Sequence, residues 1–366
     1  MKTTIKREDI LGPLQQVIGA VERRQTLPIL ANVLMKSSSG DLTITATDLE
    51  IEMVSTVVCD SNEDFQTTLP ARKLLDICKA LPEGSSIAFN IDDSRVTLVS
   101  GRSRFTLASL PASDFPGLDD IEEQQAFSLS QEQFKSLFDK TSFAMAQQDV
   151  RYYLNGILME ISSSLIKLVA TDGHRLALSE CAIETGVNDD KQIIIPRKAV
   201  LELSRLLDSS DSPARISLSQ NHIRVETGGL VFTSKLIDGK FPDYKRVIPV
   251  DGNKTLEVNR ETLKHTLNRI AILSNEKYRG IRLTLVPGNL SIQANNPDQE
   301  EAEEELPVDY DEGEMEIGFN VTYIIDVLNV LDSQDVQIKL KDSNSSCIIS
   351  DSNESSSLYV VMPMRL

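Results

Sequence analysis

The chain repeats itself at the scale of a domain. "DLTITATDLEIEM" begins at Asp41, "LIKLVATDGHRLAL" at Leu165, and a fainter echo, "NLSIQANNPDQEEAEE", at Asn289. Thr47-Asp48, Thr171-Asp172 and Asn295-Asn296 stand 124 residues apart. A second triplet keeps nearly the same interval. "RKLLDICKAL" from Arg72, "RKAVLELSRL" from Arg197 and "TYIIDVLNVL" from Thr322 are spaced by 125. "FPGL" at Phe115 and "FPDY" at Phe241 add a weaker pair. Solenoid repeats run about 20–50 residues, so a unit this long is a whole domain present three times. The 366 residues divide near Gln124 and Gly252, where "DFPGLDDIEEQQ" and "VIPVDGNK" read as linkers. The expected domains are 1–124, 125–252 and 253–366.

Each unit reads as α+β, with two helices and many antiparallel strands. An early helix is expected in "REDILGPLQQVIGAVE", "SQEQFKSLFDKTSFAMA" and "NRETLKHTLNRIAIL". Gly12-Pro13 weakens the first of these. In the second, Ser130 and Gln133 have capping-box spacing, and Phe134, Leu137 and Phe138 recur at helical intervals. In the third, Asn259 can cap, with Leu263, Leu267 and Ile270 on one face. The second triplet supplies another helix per unit, with a stripe such as Leu74, Leu75, Cys78 and Leu81. Between the helices, "LTITAT", "IRVETG" and "VQIKLKD" alternate as half-buried strands, and "GGL" at Gly228 is a hairpin turn.

Composition narrows the function. No run approaches the ~20 apolar residues of a membrane span, and "MKTTIKREDILGPL" lacks the apolar core of an export signal. Cys59, Cys78, Cys181 and Cys347 lie far apart without a CxxC pair, which suits buried thiols in a reducing cytoplasm. A net charge of −18 opposes coating nucleic acid with the outer surface, yet leaves room for an enclosed basic one.

"TDGHR" invites a catalytic reading, because Asp172, His174 and Arg175 could serve as acid, base and anion clamp. The repeat argues otherwise. Thr-Asp recurs as a turn, and only the second unit adds Gly-His-Arg. His222 and His265 lie in unrelated segments, and no HxxxH, HExxH, GxSxG, Walker A or GxGxxG is present. Neither a metal site nor a cofactor is expected. The run "NNPDQEEAEEELPVDYDEGEME" leaves one enzymatic alternative, a magnesium-dependent nuclease using Asp298 and Glu300, although a charge run is usually a solvated face. A three-domain interaction scaffold that never encloses DNA is another alternative.

Longer stretches then carry a resemblance. "TLPILANVLM", "DVRYYLNGIL", "VATDGHRLA", "FPDYKRVIP", "AILSNEKYRG", "ANNPDQEEAEE" and the terminal "YVVMPMRL" resemble the bacterial DNA polymerase III beta subunit family, the sliding clamps, from one end of the chain to the other. The resemblance implies a non-enzymatic, head-to-tail homodimer. Its six clamp domains would close a ring around duplex DNA, with helices lining the hole and strands on the rim. Twelve helices about 9–10 Å apart trace a circle roughly 36 Å across, and subtracting one helix diameter of ~10 Å leaves a bore near ~26 Å, enough for a duplex. Such a ring tethers the replicative polymerase and repair factors, works in the cytoplasm on the nucleoid, and needs a separate clamp loader. Lys73, Lys79, Lys135, Lys140, Lys198, Arg205, Lys264 and Arg269 lie on the expected helices and would make the bore basic, or are ordinary solvated groups.

Residue by residue, the resemblance implies three sites. Arg24, Gln148, Tyr152 and Tyr153 would touch the DNA backbone without reading sequence. Phe105 and Leu107 on one side would meet Ile272 and Leu273 on the other at the dimer interface. There Lys73, Arg95 and Arg104 would face Asp298, Glu300, Glu301 and Glu304; core packing at a helix end is the other reading of Ile272-Leu273. A groove for short linear peptides of partner proteins would comprise Leu154, Thr171, Gly173, His174, Arg175, Leu176, Pro242, Arg246, Val247, Tyr278, Asn320, Tyr323, Ser346, Val360, Val361, Met362, Pro363, Met364 and Arg365. Without the family, Leu176 is core and "YVVMPMRL" a final strand. Tyr278 and Asn344 depart from the Phe and the apolar residue usual in the family, which bears on peptide preference.

Overall fold

The computed structural model describes residues 2–21, 27–59, 64–92, 94–118, 122–187, 189–250, 252, 254–352 and 356–365. Among them six α-helices fall where the repeat places them: α1 Arg7–Val17, α2 Ala71–Ala80, α3 Gln131–Asp139, α4 Arg197–Leu206, α5 Arg260–Ile270 and α6 Val321–Val330. Gly12-Pro13 does not end α1. Pro13 forfeits one backbone hydrogen bond, but it is buried with Ile10, Leu14 and Val17, and that apolar face carries the helix. Asn259 caps α5 by accepting from the Thr262 N–H, and Asn320 caps α6 by accepting from Thr322. None of the helices is long and apolar enough to cross a membrane. All four cysteines are free thiols, and burial pushes Cys78 and Cys347 up to about 12.

The chain folds into two compact units, residues 1–132 with 205–236 and residues 133–204 with 237–366. In the first unit a four-stranded antiparallel sheet runs in the order Lys2–Lys6, Ser86–Ile91, Arg95–Ser100, Ser103–Ala108. Beside it an eight-stranded sheet runs Phe65–Pro70, Asn32–Ser38, Asp41–Thr47, Ile51–Val58, Leu230–Lys235, His222–Thr227, Pro213–Leu218, Gln125–Ser130. The second unit has its own eight-stranded sheet, Lys191–Pro196, Gly156–Ile161, Leu165–Thr171, Arg175–Ala182, Ser357–Val361, Cys347–Asp351, Asp335–Leu340, Lys254–Asn259. Its four-stranded sheet runs Glu301–Pro307, Asn289–Asn295, Gly280–Val286, Met315–Asn320.

Each eight-stranded sheet is two four-stranded halves from successive repeats, joined edge to edge. In the first unit Ile51–Val58 pairs with Leu230–Lys235, from Ser55↔Leu230 to Ile51↔Ser234. In the second, Arg175–Ala182 pairs with Ser357–Val361, from Ser179↔Ser357 to Arg175↔Val361. The two remaining strands of these kinds are open edges. Ser103–Ala108 starts 127 residues before Leu230–Lys235, which starts 127 before Ser357–Val361. Glu301–Pro307 starts 126 residues after Arg175–Ala182, itself 124 after Ile51–Val58. One edge of each four-stranded sheet therefore repeats one half of a joint, without that joint's partner strand among the described residues. Glu301, Glu303 and Glu305 are exposed along one of these edges, and such charge deters indiscriminate strand pairing.

Candidate functional site

Thr-Asp closes the same turn twice. Asp48 Oδ1 accepts from the N–H groups of Glu50 and Ile51 at 2.9 and 2.8 Å, while Thr47 donates its hydroxyl to the Ile51 carbonyl. Asp172 Oδ1 likewise accepts from His174 and Arg175 at 2.9 and 3.1 Å, and Thr171 donates to the Arg175 carbonyl. The third copy is looser: Asn296 Oδ1 accepts from Asp298 and Glu300. The residue after each aspartate needs positive φ, +75° at Leu49 and +91° at Gly173.

The remaining carboxylate oxygen of Asp172 accepts from Arg175 Nε at 3.1 Å, and it is the backbone N–H of His174 that donates to Asp172. The Arg175 guanidinium also donates to Asp326 on α6 at 2.5 Å and to the Phe143 carbonyl at 2.7 Å. It lies 4.5 Å from the Tyr323 ring centroid and 5.3 Å from that of Phe143. Three of its five N–H donors are spent inside the chain. Arg175 is a structural node that ties the turn to α6, and His174 is exposed and stacks on Tyr323 with centroids 6.5 Å apart.

Beside this node lies an apolar cavity of about 190 Å³. Its lining brings together Leu154, Thr171, Gly173, Arg175, Leu176, Pro242, Val247, Val360 and Met362, from four separate segments. Leu154, Leu176 and Val360 continue inward as core with Leu158, Val169, Ile194 and Phe241, which fixes the floor. Val247 and Met362 are 45% and 41% exposed and form adjustable walls. Arg151, Asp243 and Tyr244 also line the cavity and were not anticipated, although Tyr244 ends the "FPDY" echo. Burial raises the Tyr244 phenol, and its hydrogen bond to Glu160 at 2.7 Å raises it further. Arg151 grips Asp149 through Nε and Nη2 at 3.0 and 2.9 Å, holding that carboxyl down to about 2. Its guanidinium occupies the space a Gly173 side chain would fill, 3.1 Å from an added Cβ.

Other residues expected in the groove sit elsewhere. Val361 is fully buried, because strand alternation turns it to the face opposite Val360. Arg246 projects into solvent and pairs with Asp243 at 2.8 Å. Asn320 is occupied as the α6 cap and as donor to the Tyr278 carbonyl. Tyr278, Met364 and Arg365 border a separate polar hollow of about 570 Å³ with Arg282, Gln293 and Glu301. The tail runs between the two, tied by Met362 N–H to the His174 carbonyl and by Met364 N–H to Gly318. Pro363 lies half-buried between these ties; Ser346, also half-buried, precedes the strand Cys347–Asp351.

Arg24 lies outside the described residues. Gln148 holds φ +56° in an exposed loop, and Tyr152, 55% exposed, packs edge-on against Tyr153. Among the helix bases, Lys135, Lys140 and Arg269 pair with Asp139, Asp332 and Glu304, and Arg205 donates to the Gln15 and Gln16 carbonyls. Lys73 and Lys79 are exposed. Ile272 is 76% exposed and so is not core, and Leu273 is half-buried. Arg95 and Arg104 are exposed, Phe105 is half-buried and Leu107 is buried. In the acidic run Glu304 is taken by Arg269 and Thr266, Glu303 by Gln293 and Ser291, and Glu300 by Asn296, while Asp298 is exposed.

Comparison with known proteins gives one answer along the whole chain. Family models of the DNA polymerase III beta subunit match at residues 1–119 for the N-terminal domain, 128–243 for the central domain and 245–365 for the C-terminal domain. The chain is 53% identical over 367 residues to the beta sliding clamp of Pseudomonas aeruginosa, and 51% over 368 residues to that of Escherichia coli K12, with all of each chain covered. A crystal structure of the DNA polymerase III subunit beta from Pseudomonas aeruginosa matches at a TM-score of 0.97 and 52% identity, and a Bartonella birtlesii clamp bound to griselimycin at 0.97 and 40%, each over the full length of both chains. The chain belongs to the DNA polymerase III beta subunit family, and it is a sliding clamp, a processivity factor of DNA replication and not an enzyme.

Proposed function

We propose that two copies of the chain close head to tail into a ring around duplex DNA, and that the apolar cavity takes short linear peptides of the proteins the ring tethers. One observation carries the ring: the two open edge strands are the missing halves of a joint the chain makes twice. Glu301–Pro307 corresponds to Ile51–Val58 and Arg175–Ala182, and Ser103–Ala108 corresponds to their partners. Two different surfaces on one chain make a heterologous contact, which closes when the rotation allows. Opposite charge favours this pairing over self-pairing, with Arg104 on one edge strand and Arg95 on the strand beside it, and Glu301, Glu303 and Glu305 on the other edge. Exposed Ile272 supplies an apolar contact there. The domains that repeat around this ring are residues 1–124, 125–252 and 253–366, with their helices toward the hole.

For the cavity, the support is an apolar floor with two partly exposed adjustable walls and a polar mouth at Arg151 and Asp243. That is the anatomy of a site that anchors one or two apolar side chains. The partners in this reading are a clamp loader, the replicative polymerase and repair factors. The ring would act in the cytoplasm on the nucleoid, with Gln148, Tyr152 and Tyr153 near the DNA backbone.

The test loads the protein onto nicked circular DNA with a clamp loader, washes in high salt and then linearises the circle. Salt weakens phosphate contacts steeply but does not unthread a closed ring. Retention on the circle and loss from the linear form is the expected result. Loss from both forms in salt, with loading shown beforehand, overturns the ring.

A further inference from the structure

The first joint has a place that corresponds to the peptide cavity, and it is built from different side chains. At the first joint Glu52 pairs with Thr233, one step in from Ile51↔Ser234. At the second joint the same place holds Leu176 and Val360, one step in from Arg175↔Val361. The next strand continues the contrast, with Arg224 opposite Thr233 where Ile348 stands opposite Val360. A carboxylate, a hydroxyl and a guanidinium thus replace three aliphatic side chains. The segments after the two "FP" echoes differ as well. The Leu118 N–H donates to Glu52 Oε2 at 3.1 Å, and an added Cβ on Gly117 would lie 3.7 Å from the same oxygen. In "FPDY", Tyr244 instead joins the cavity wall and sends its hydroxyl to Glu160. Desolvation raises the Glu52 pKa while the Leu118 N–H lowers it, as expected of a carboxylate covered by the chain it holds.

We infer that Glu52 closes the first joint to apolar peptides, by tying residues 117–118 across it and by placing a charge where the second joint has Leu176. This rests on the reading of the second joint as the groove. The physical reason is desolvation: an apolar side chain seated on Glu52 would strip water from a carboxylate without supplying a hydrogen bond.

The experiment titrates the full-length protein with a synthetic peptide carrying adjacent leucine and phenylalanine, and reads stoichiometry by calorimetry. Wild type should bind one peptide per chain. Glu52→Gln, whose amide oxygen still accepts from Leu118, should also bind one. Glu52→Leu with Thr233→Val should bind two. A folded double variant that binds one overturns the inference, whereas a wild type that binds none overturns the groove reading instead. Should the double variant not fold, amide exchange at Leu118 in Glu52→Ala decides: about tenfold faster exchange than wild type supports the latch, and unchanged exchange overturns it.

Discussion

At the scale of single residues, the conspicuous cluster divides into structure and surface. Arg175 holds two carboxylates, a backbone carbonyl and two rings, whereas His174 touches one ring from solvent. Arg175→Ala would strand the partly buried Asp172 and Asp326, so a loss of about 3 kcal/mol is expected in urea unfolding. Arg175→Lys should recover little of it, because one ammonium does not reproduce the planar fork. His174→Ala should stay within about 0.5 kcal/mol of wild type. Equal losses for the two would contradict this division. Asp149 gives a pH prediction. Its carboxyl lies below the ordinary 3.8, at about 2, so what the Arg151 bond contributes is present above that ordinary value and is lost as pH falls toward 2. An NMR titration should place the Asp149 midpoint near 2 in wild type and in the ordinary range in Arg151→Ala. The residue types at the turn were legible because Thr-Asp recurs. That Arg175 would spend its donors internally was not legible, because Asp326 lies 151 positions away.

Elements were the most legible level. All six helices occupy segments whose apolar spacing announces them, since an amphipathic face and a cap are written locally. The Gly228-Gly229 hairpin is legible for the same reason, with φ of +52° and +85° between paired Thr227 and Leu230. The two glycines are not equivalent. A Cβ at Gly229 would lie 2.9 Å from the Thr56 carbonyl across the joint, whereas nothing lies within 4 Å of one at Gly228. Gly229→Ala should therefore cost about 1–3 kcal/mol, and Gly228→Asn should be nearly neutral by thermal or urea unfolding. Similar costs at the two positions would show that the joint does not constrain the turn. Val361 shows the limit of motif reading: a matching string does not say which side of the strand each residue faces.

For the whole molecule, the decisive feature is an unfinished pattern. Two joints are made within the chain, and the two corresponding edge strands pair with no further strand among the described residues; in the proposed ring they meet each other. Replacing Ile272 and Leu273 together by alanine should leave folded monomers in sedimentation velocity, because Ile272 is exposed at the end of α5 and adds nothing to the core. A double variant that sediments as an intact dimer would remove these residues from the interface. The sequence by itself determined the threefold repeat, the helices, the strand alternation and the absence of a recognised catalytic motif, because each is written in near neighbours or in a fixed period. Only the tertiary structure decided which halves join into eight-stranded sheets, which segments gather around the apolar cavity at the second joint, and which charges are spent inside. Those outcomes depend on strands and side chains far apart in sequence, such as Glu52 with Thr233 and Leu176 with Val360, which no local pattern brings together.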